Sequence, residues 1–139
     1  MKTIWSETIW TTKKCQQLIS NEIENTVYEY LRAEFNALGC EVKVINGTSD
    51  HVHCLINVNA KRSLDEIVKL VKGVSSHNIN QSNLLSTKFA WEKSYDGGSV
   101  GKSDMKDCVQ KILDQKSLHS DPSYTIADEI NQMHEKEIE

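Results

Sequence analysis

The chain has 139 residues, 38% hydrophobic and 26% charged, with six glycines, one proline and a formal net charge of −4. That length fits one domain with its own core, and the composition excludes disordered, collagen-like and low-complexity chains. No apolar run approaches the ~20 residues of a membrane span, and MKTIWSETIWTTKK lacks the apolar stretch and cleavage site of a secretory signal.

The opening TIWSETIW alternates and is rich in Ile, Thr and Trp, which predicts a strand. Cys15, Ile19, Ile23, Val27, Leu31, Phe35 and Leu38 then recur at three- and four-residue steps, which predicts one long helix stopped by Gly39. Two β-type runs follow, Glu41 to Ile45 and His51 to Val58. Asn46-Gly47 between them signals a hairpin, so these strands are expected to pair antiparallel. Ser63-Leu-Asp-Glu66 is a capping box that opens a second helix buried through Leu64, Ile67, Val68, Leu70, Val71 and Val74. His77 to Ser86 is polar and expected to be a loop. Lys88 to Tyr95 alternates and predicts a fourth strand, with Asp96-Gly97-Gly98 as the turn after it. Ser103 or Asp104 caps a third helix running to about Leu118. Pro122 is expected to end the ordered domain, with a further short helix expected from Thr125.

The order β-α-β-β-α-β plus a helix predicts an α+β, ferredoxin-like fold: one antiparallel sheet with two long helices on one face. The third helix is left to the other face. The predicted organisation is one domain over 1–120 and an acidic tail over 121–139. The four cysteines, Cys15, Cys40, Cys54 and Cys108, form no CxxC pair and are expected to be reduced, buried thiols of a cytoplasmic protein.

The most informative residues are His51-Val52-His53. In a strand the two imidazoles share one face, while Val52, Cys54 and Ile56 point into the core. Two such histidines can hold one divalent metal, although an HxH pair by itself is often no more than a solvated sheet face. A zinc site recruiting Cys40, Cys54 or Cys108 finds no helpful spacing. Trp5, Trp10 and Trp91 could stack on bases, but alternating strand positions favour packing. Tyr124 lies beyond Pro122 and reaches such a site only if the tail folds back, or in trans from a second subunit.

The run Asp50-His51-Val52-His53-Cys54-Leu55-Ile56 resembles the signature of the HUH superfamily of single-strand DNA nicking enzymes. It is most similar to the small single-tyrosine transposases of insertion sequences and REP-associated elements. Leu70 to Ser76 (LVKGVSS), Phe89 to Tyr95 with Ser99-Val100, and Asp114-Gln115 with His119 resemble further motifs of that family in the same order. The resemblance implies metal-dependent cleavage and rejoining of single-stranded or hairpin DNA, in a homodimer, with no membrane partner. It implies that His51, His53 and Gln115 hold Mg²⁺ or Mn²⁺ beside the scissile phosphate. It also implies a nucleophilic tyrosine one turn before Gln115, a position occupied here by Lys111. A protonated amine has no lone pair for phosphorus, so nicking by the family route is expected to be lost and Lys111 is better suited to pairing with phosphate. Lys72, Lys88 and Lys102 are the other expected phosphate contacts. The alternative is a repurposed DNA-binding or dimerisation module without metal. The net charge is no obstacle: residues 1–60 carry −2, residues 61–116 carry +3 and residues 117–139 carry −5.

Overall fold

The computed structural model describes residues 3–59 and 61–131. Four strands, β1 (Thr3–Thr11), β2 (Glu41–Gly47), β3 (His51–Asn59) and β4 (Asp96–Ser99), form one antiparallel sheet in the order β2-β3-β1-β4. Helices α1 (Glu24–Ala37) and α2 (Leu64–Gln81) pack on one face. Helices α3 (Met105–Leu113) and α4 (Gln115–Leu118) follow β4, and a last short helix, α5, spans 126–131. This is the α+β, ferredoxin-like arrangement expected from the pattern.

The period of two along β3 divides the molecule. Val52, Cys54 and Ile56 face a core shared with Trp10, Leu31, Phe35, Ile67 and Val71. Leu55 faces the other way and is covered by Val44, Cys108 and Ile112, the last two from α3. His51 and His53 are on this second side. In β1, Trp5, Glu7 and Ile9 pair with Asn57, Leu55 and His53, which puts Glu7 on the histidine face.

Several expected boundaries move. The first helix begins at Glu24. Residues 13–15 form a 3-10 turn in which Lys14 and Cys15 adopt positive φ (57° and 54°), and Cys15 is exposed. Ile19 still reaches the core, from irregular chain whose N–H donates to the Ser49 carbonyl. The second helix continues through His77 to Gln81 because Ile79 extends the buried stripe of Val71 and Ser75. Ser63 caps it as expected, accepting from the Glu66 N–H at 3.1 Å.

The fourth strand is not Lys88–Tyr95 but the DGGS segment that follows it. Phe89 and Trp91 are pulled into the core, and the Asn80 side chain takes both backbone groups of Phe89 (2.7 and 2.9 Å), so this segment keeps only a single bridge, Thr12 to Trp91. Gly97 suits the strand because a Cβ there would press on Leu64 and Tyr95 at 3.1 and 3.2 Å.

Asn46-Gly47 also ends up inside β2, and the turn is made by Thr48, Ser49 and Asp50. A Cβ on Gly47 would lie 2.1 Å from the His51 carbonyl oxygen. Gly47→Ala is therefore expected to cost about 1–3 kcal/mol through a forced backbone shift. A lowered urea midpoint would show it; an unchanged midpoint would mean the turn yields freely.

Candidate metal centre

The turn before β3 sets up the first histidine. Thr48 donates its N–H to the His51 carbonyl (3.0 Å), and the His51 Nδ1 lies 2.9 Å from both Asp50 Oδ1 and Thr48 Oγ1. Two residues on, the His53 Nδ1 lies 3.0 Å from Glu7 Oε1. A carboxylate only accepts, so each Nδ1 carries the proton and each Nε2 points inward. Both rings are 1% exposed, with centroids 5.4 Å apart.

Helix α3 brings the third group. It buries Cys108 and Ile112 against the sheet and breaks at Asp114, so that Gln115 opens α4 fully buried. Its Oε1 lies 3.0 Å from His51 Nε2, and its Nε2 donates to Glu129 Oε2 at 2.7 Å. Thus His51, His53 and Gln115 converge, with Gln115 supplied by the same chain.

Two acidic residues were missed. Glu7 orients His53 and accepts from the Cys108 thiol at 3.3 Å. Burial works against its charge, but the bond to His53, the His53 charge, the Cys108 thiol and the nearby Lys111 ammonium outweigh it and lower its pKa. Its signal was present: a glutamate two residues before Ile9, on the face shared with the histidines. Glu129 comes from α5, which is capped by Thr125 and Asp128: the Asp128 N–H donates to Thr125 Oγ1, and the Thr125 N–H to Asp128 Oδ2. The Glu129 side chain is 2% exposed, with Oε2 3.1 Å from His53 Nε2 and Oε1 3.5 Å from His51 Nε2. Pro122 therefore does not end the packed chain.

Burial opposes charge on His51, but hydrogen bonds to Asp50, Glu129 and Gln115 prevail and its pKa is pushed up to about 9. Burial likewise opposes charge on Glu129, yet His51 and His53 beside it, with the Gln115 amide, hold it well below the usual carboxylate range. The His53 Nε2 has no aligned hydrogen-bond partner among the described residues, although a Glu129 oxygen is close. Once His51 gives up its Nε2 proton, as it must to take a cation, two inward imidazole nitrogens face an amide oxygen and a carboxylate. Such a donor set fits a divalent cation, and outer carboxylates on each imidazole are the usual support for one.

The remaining expected residues are spread out. Lys111 is half-buried on α3, one turn before Gln115, whose Nε2 lies 3.4 Å from the Lys111 carbonyl. Lys102 is exposed just ahead of α3. Lys72 belongs to the opposite layer, is 8% exposed, and donates to the Ser94 carbonyl at 2.9 Å; burial lowers its pKa. Lys88 is exposed in the segment pinned to α2. His119 is largely buried, its ring 4.5 Å from His51, and its Nε2 contacts Glu129 Oε1. The tail does fold back, and the Tyr124 ring lies 5.1 Å from His119.

Residues 1–115 match the family described as transposase, IS200-like. The chain belongs to the IS200-like transposases. A comparison with curated proteins found no match. Among solved structures, a Deinococcus radiodurans R1 protein assigned as a transposase is 22% identical, with TM-score 0.67, over 83% of this chain and 92% of that one. A REP-associated tyrosine transposase bound to a REP hairpin is 11% identical, also with TM-score 0.67, over 86% of this chain and 70% of that one. Both share the fold of this IS200-like transposase. The family match ends at Gln115, so His119, Tyr124 and Glu129 lie beyond it. No helix among the described residues is long and apolar enough to cross a membrane.

Proposed function

We propose that this transposase-family chain binds single-stranded or hairpin DNA at the face carrying His51, His53 and Gln115, with Mg²⁺ or Mn²⁺ held by those three residues. The observation that carries this reading is the pair of inward Nε2 atoms, each backed by a carboxylate on its Nδ1. A bound ion supplies charge neutralisation at a phosphate. The chain's own residues do the rest: Asp50 and Glu7 fix the ring orientations, and α3 excludes water from one side with Cys108 and Ile112. Lys102 and Lys111 are among the basic residues on this side of the sheet. The family-like domain spans residues 1–120, in a homodimer in the cytoplasm, and the acidic tail over 121–139 reaches back to its site through Glu129.

Lys111 stands where the family's nucleophile is expected, so strand cleavage by that route is absent. A second reading is favoured by one observation, the Tyr124 ring beside His119. Against it, burial together with the charges of Glu129, Asp128 and Glu7 raises the phenol to about 12, which disfavours the attacking phenolate.

The test is fluorescence anisotropy with labelled hairpin and single-stranded DNA in millimolar Mn²⁺, followed by denaturing gels. The expected result is salt-sensitive binding that His53→Ala weakens, with no covalent protein–DNA band. Absence of DNA binding would contradict the proposal. DNA binding indifferent to Mn²⁺ and to His53→Ala would favour a module that has dispensed with metal. A band abolished by Tyr124→Phe would establish the second reading.

A further inference from the structure

Glu129 is the anomaly of this site. An ionised carboxylate is costly to bury unless cationic or hydrogen-bonding groups meet it, and α5 places this one where His51, His53, His119 and Gln115 all face it. Ligand atoms of His51, His119 and Glu129 lie within 4.8 Å of one another, close enough for one ion to draw together. Catalytic metal sites keep a position open for substrate, whereas closed sites fill every position with protein. Here the tail brings an anionic oxygen onto the two inward imidazole nitrogens, from a segment outside the family match.

Resting on the reading of His51, His53 and Gln115 as the ion's holders, we propose that Glu129, with His119 beside it, is a ligand to the same ion. The tail then closes the position that a DNA phosphate would take, and DNA must displace it. The acidic tail is thus both an added metal ligand and a built-in competitor of DNA.

Calorimetric titration of the full chain with Mn²⁺ tests this, alongside Glu129→Ala, Glu129→Gln and His51→Ala, with hairpin anisotropy at saturating Mn²⁺. The Gln variant keeps the side-chain shape and the bond to Gln115, and a melting curve checks that each variant is folded. His51→Ala is expected to remove the site. Both Glu129 variants are expected to weaken Mn²⁺ by at least about tenfold, the scale on which a metal site's supporting groups matter, and to bind the hairpin more tightly. Unchanged Mn²⁺ affinity in the Glu129 variants, with loss in His51→Ala, would overturn this inference and leave the proposed function standing. Unchanged affinity in His51→Ala, or no Mn²⁺ binding by any form, would overturn both. Hairpin binding that fails to tighten in the Glu129 variants would overturn the competition.

Discussion

Trp91→Ala is expected to lower stability by about 3–5 kcal/mol, the range for emptying a buried large aromatic site. Trp91 lies in a segment without regular secondary structure, yet it is 8% exposed. Its ring meets Trp10 edge-on at 5.8 Å and Phe89 at 4.7 Å, and its Nε1 donates to Ser75 Oγ at 3.0 Å. Truncation removes the ring from three neighbours and releases the segment that leads into β4. Domains of this size are stable by only about 5–15 kcal/mol, so the variant should be close to unfolding at room temperature. Urea denaturation followed by tryptophan fluorescence and circular dichroism checks this. A loss below about 1 kcal/mol would mean the segment is an ordinary surface loop.

Lys111→Tyr is expected to give a covalent DNA adduct where the unaltered chain is expected to give none. Position 111 is one helical turn before Gln115, on the side of α3 where its charge reaches Glu7, the partner of His53. A phenol there has the oxygen lone pair that a lysine ammonium lacks. In the resulting step the phenolic oxygen bonds to phosphorus, the bond to the 3′ oxygen breaks, and that oxygen leaves as a 3′-hydroxyl after taking a proton. Denaturing gels with pooled single-stranded and hairpin DNA in Mn²⁺ read the result directly. Combining Lys111→Tyr with Glu129→Ala should give a stronger band, because the tail no longer covers the site. An adduct already formed by the unaltered chain would overturn the proposal that Lys111 leaves it without a nucleophile.

The sheet, its two covering helices and the convergence of His51 with His53 were legible because each rests on local periodicity. A period of two dictates which residues of β3 share a face, and Ser63 with Glu66 marks a helix start wherever the helix later packs. The misreadings share one cause, which is that tertiary packing overrides local pattern. Lys88–Tyr95 alternates like a strand, but Phe89 and Trp91 gain more by entering the core, and the ladder passes to Asp96–Ser99. Cys15 keeps the helical spacing of Ile19 and Ile23, but positive φ at Lys14 and Cys15 prevents a helix there.

The candidate site was legible where its residues lie in one motif and obscure where they come from afar. Glu7 reaches His53 across two paired strands, which no short motif records. Glu129 comes from a short helix beyond the last recognisable motif. Its trace in the sequence is a carboxylate on the apolar side of Ile126 and Ile130, a signal readable only once the helix is known to pack. Lys72 shows the converse: a lysine among other basic residues reads as a DNA contact, yet its amine is committed to the Ser94 carbonyl.

The central claim is that His51, His53 and Gln115 hold one divalent ion on the sheet face opposite α1 and α2. Crystals of the chain soaked in Mn²⁺, with anomalous diffraction to locate the metal, test it most directly. The account predicts one strong peak between the two Nε2 atoms and the Gln115 Oε1, absent from crystals of His53→Ala. A strong peak elsewhere, or none at saturating Mn²⁺, would contradict it.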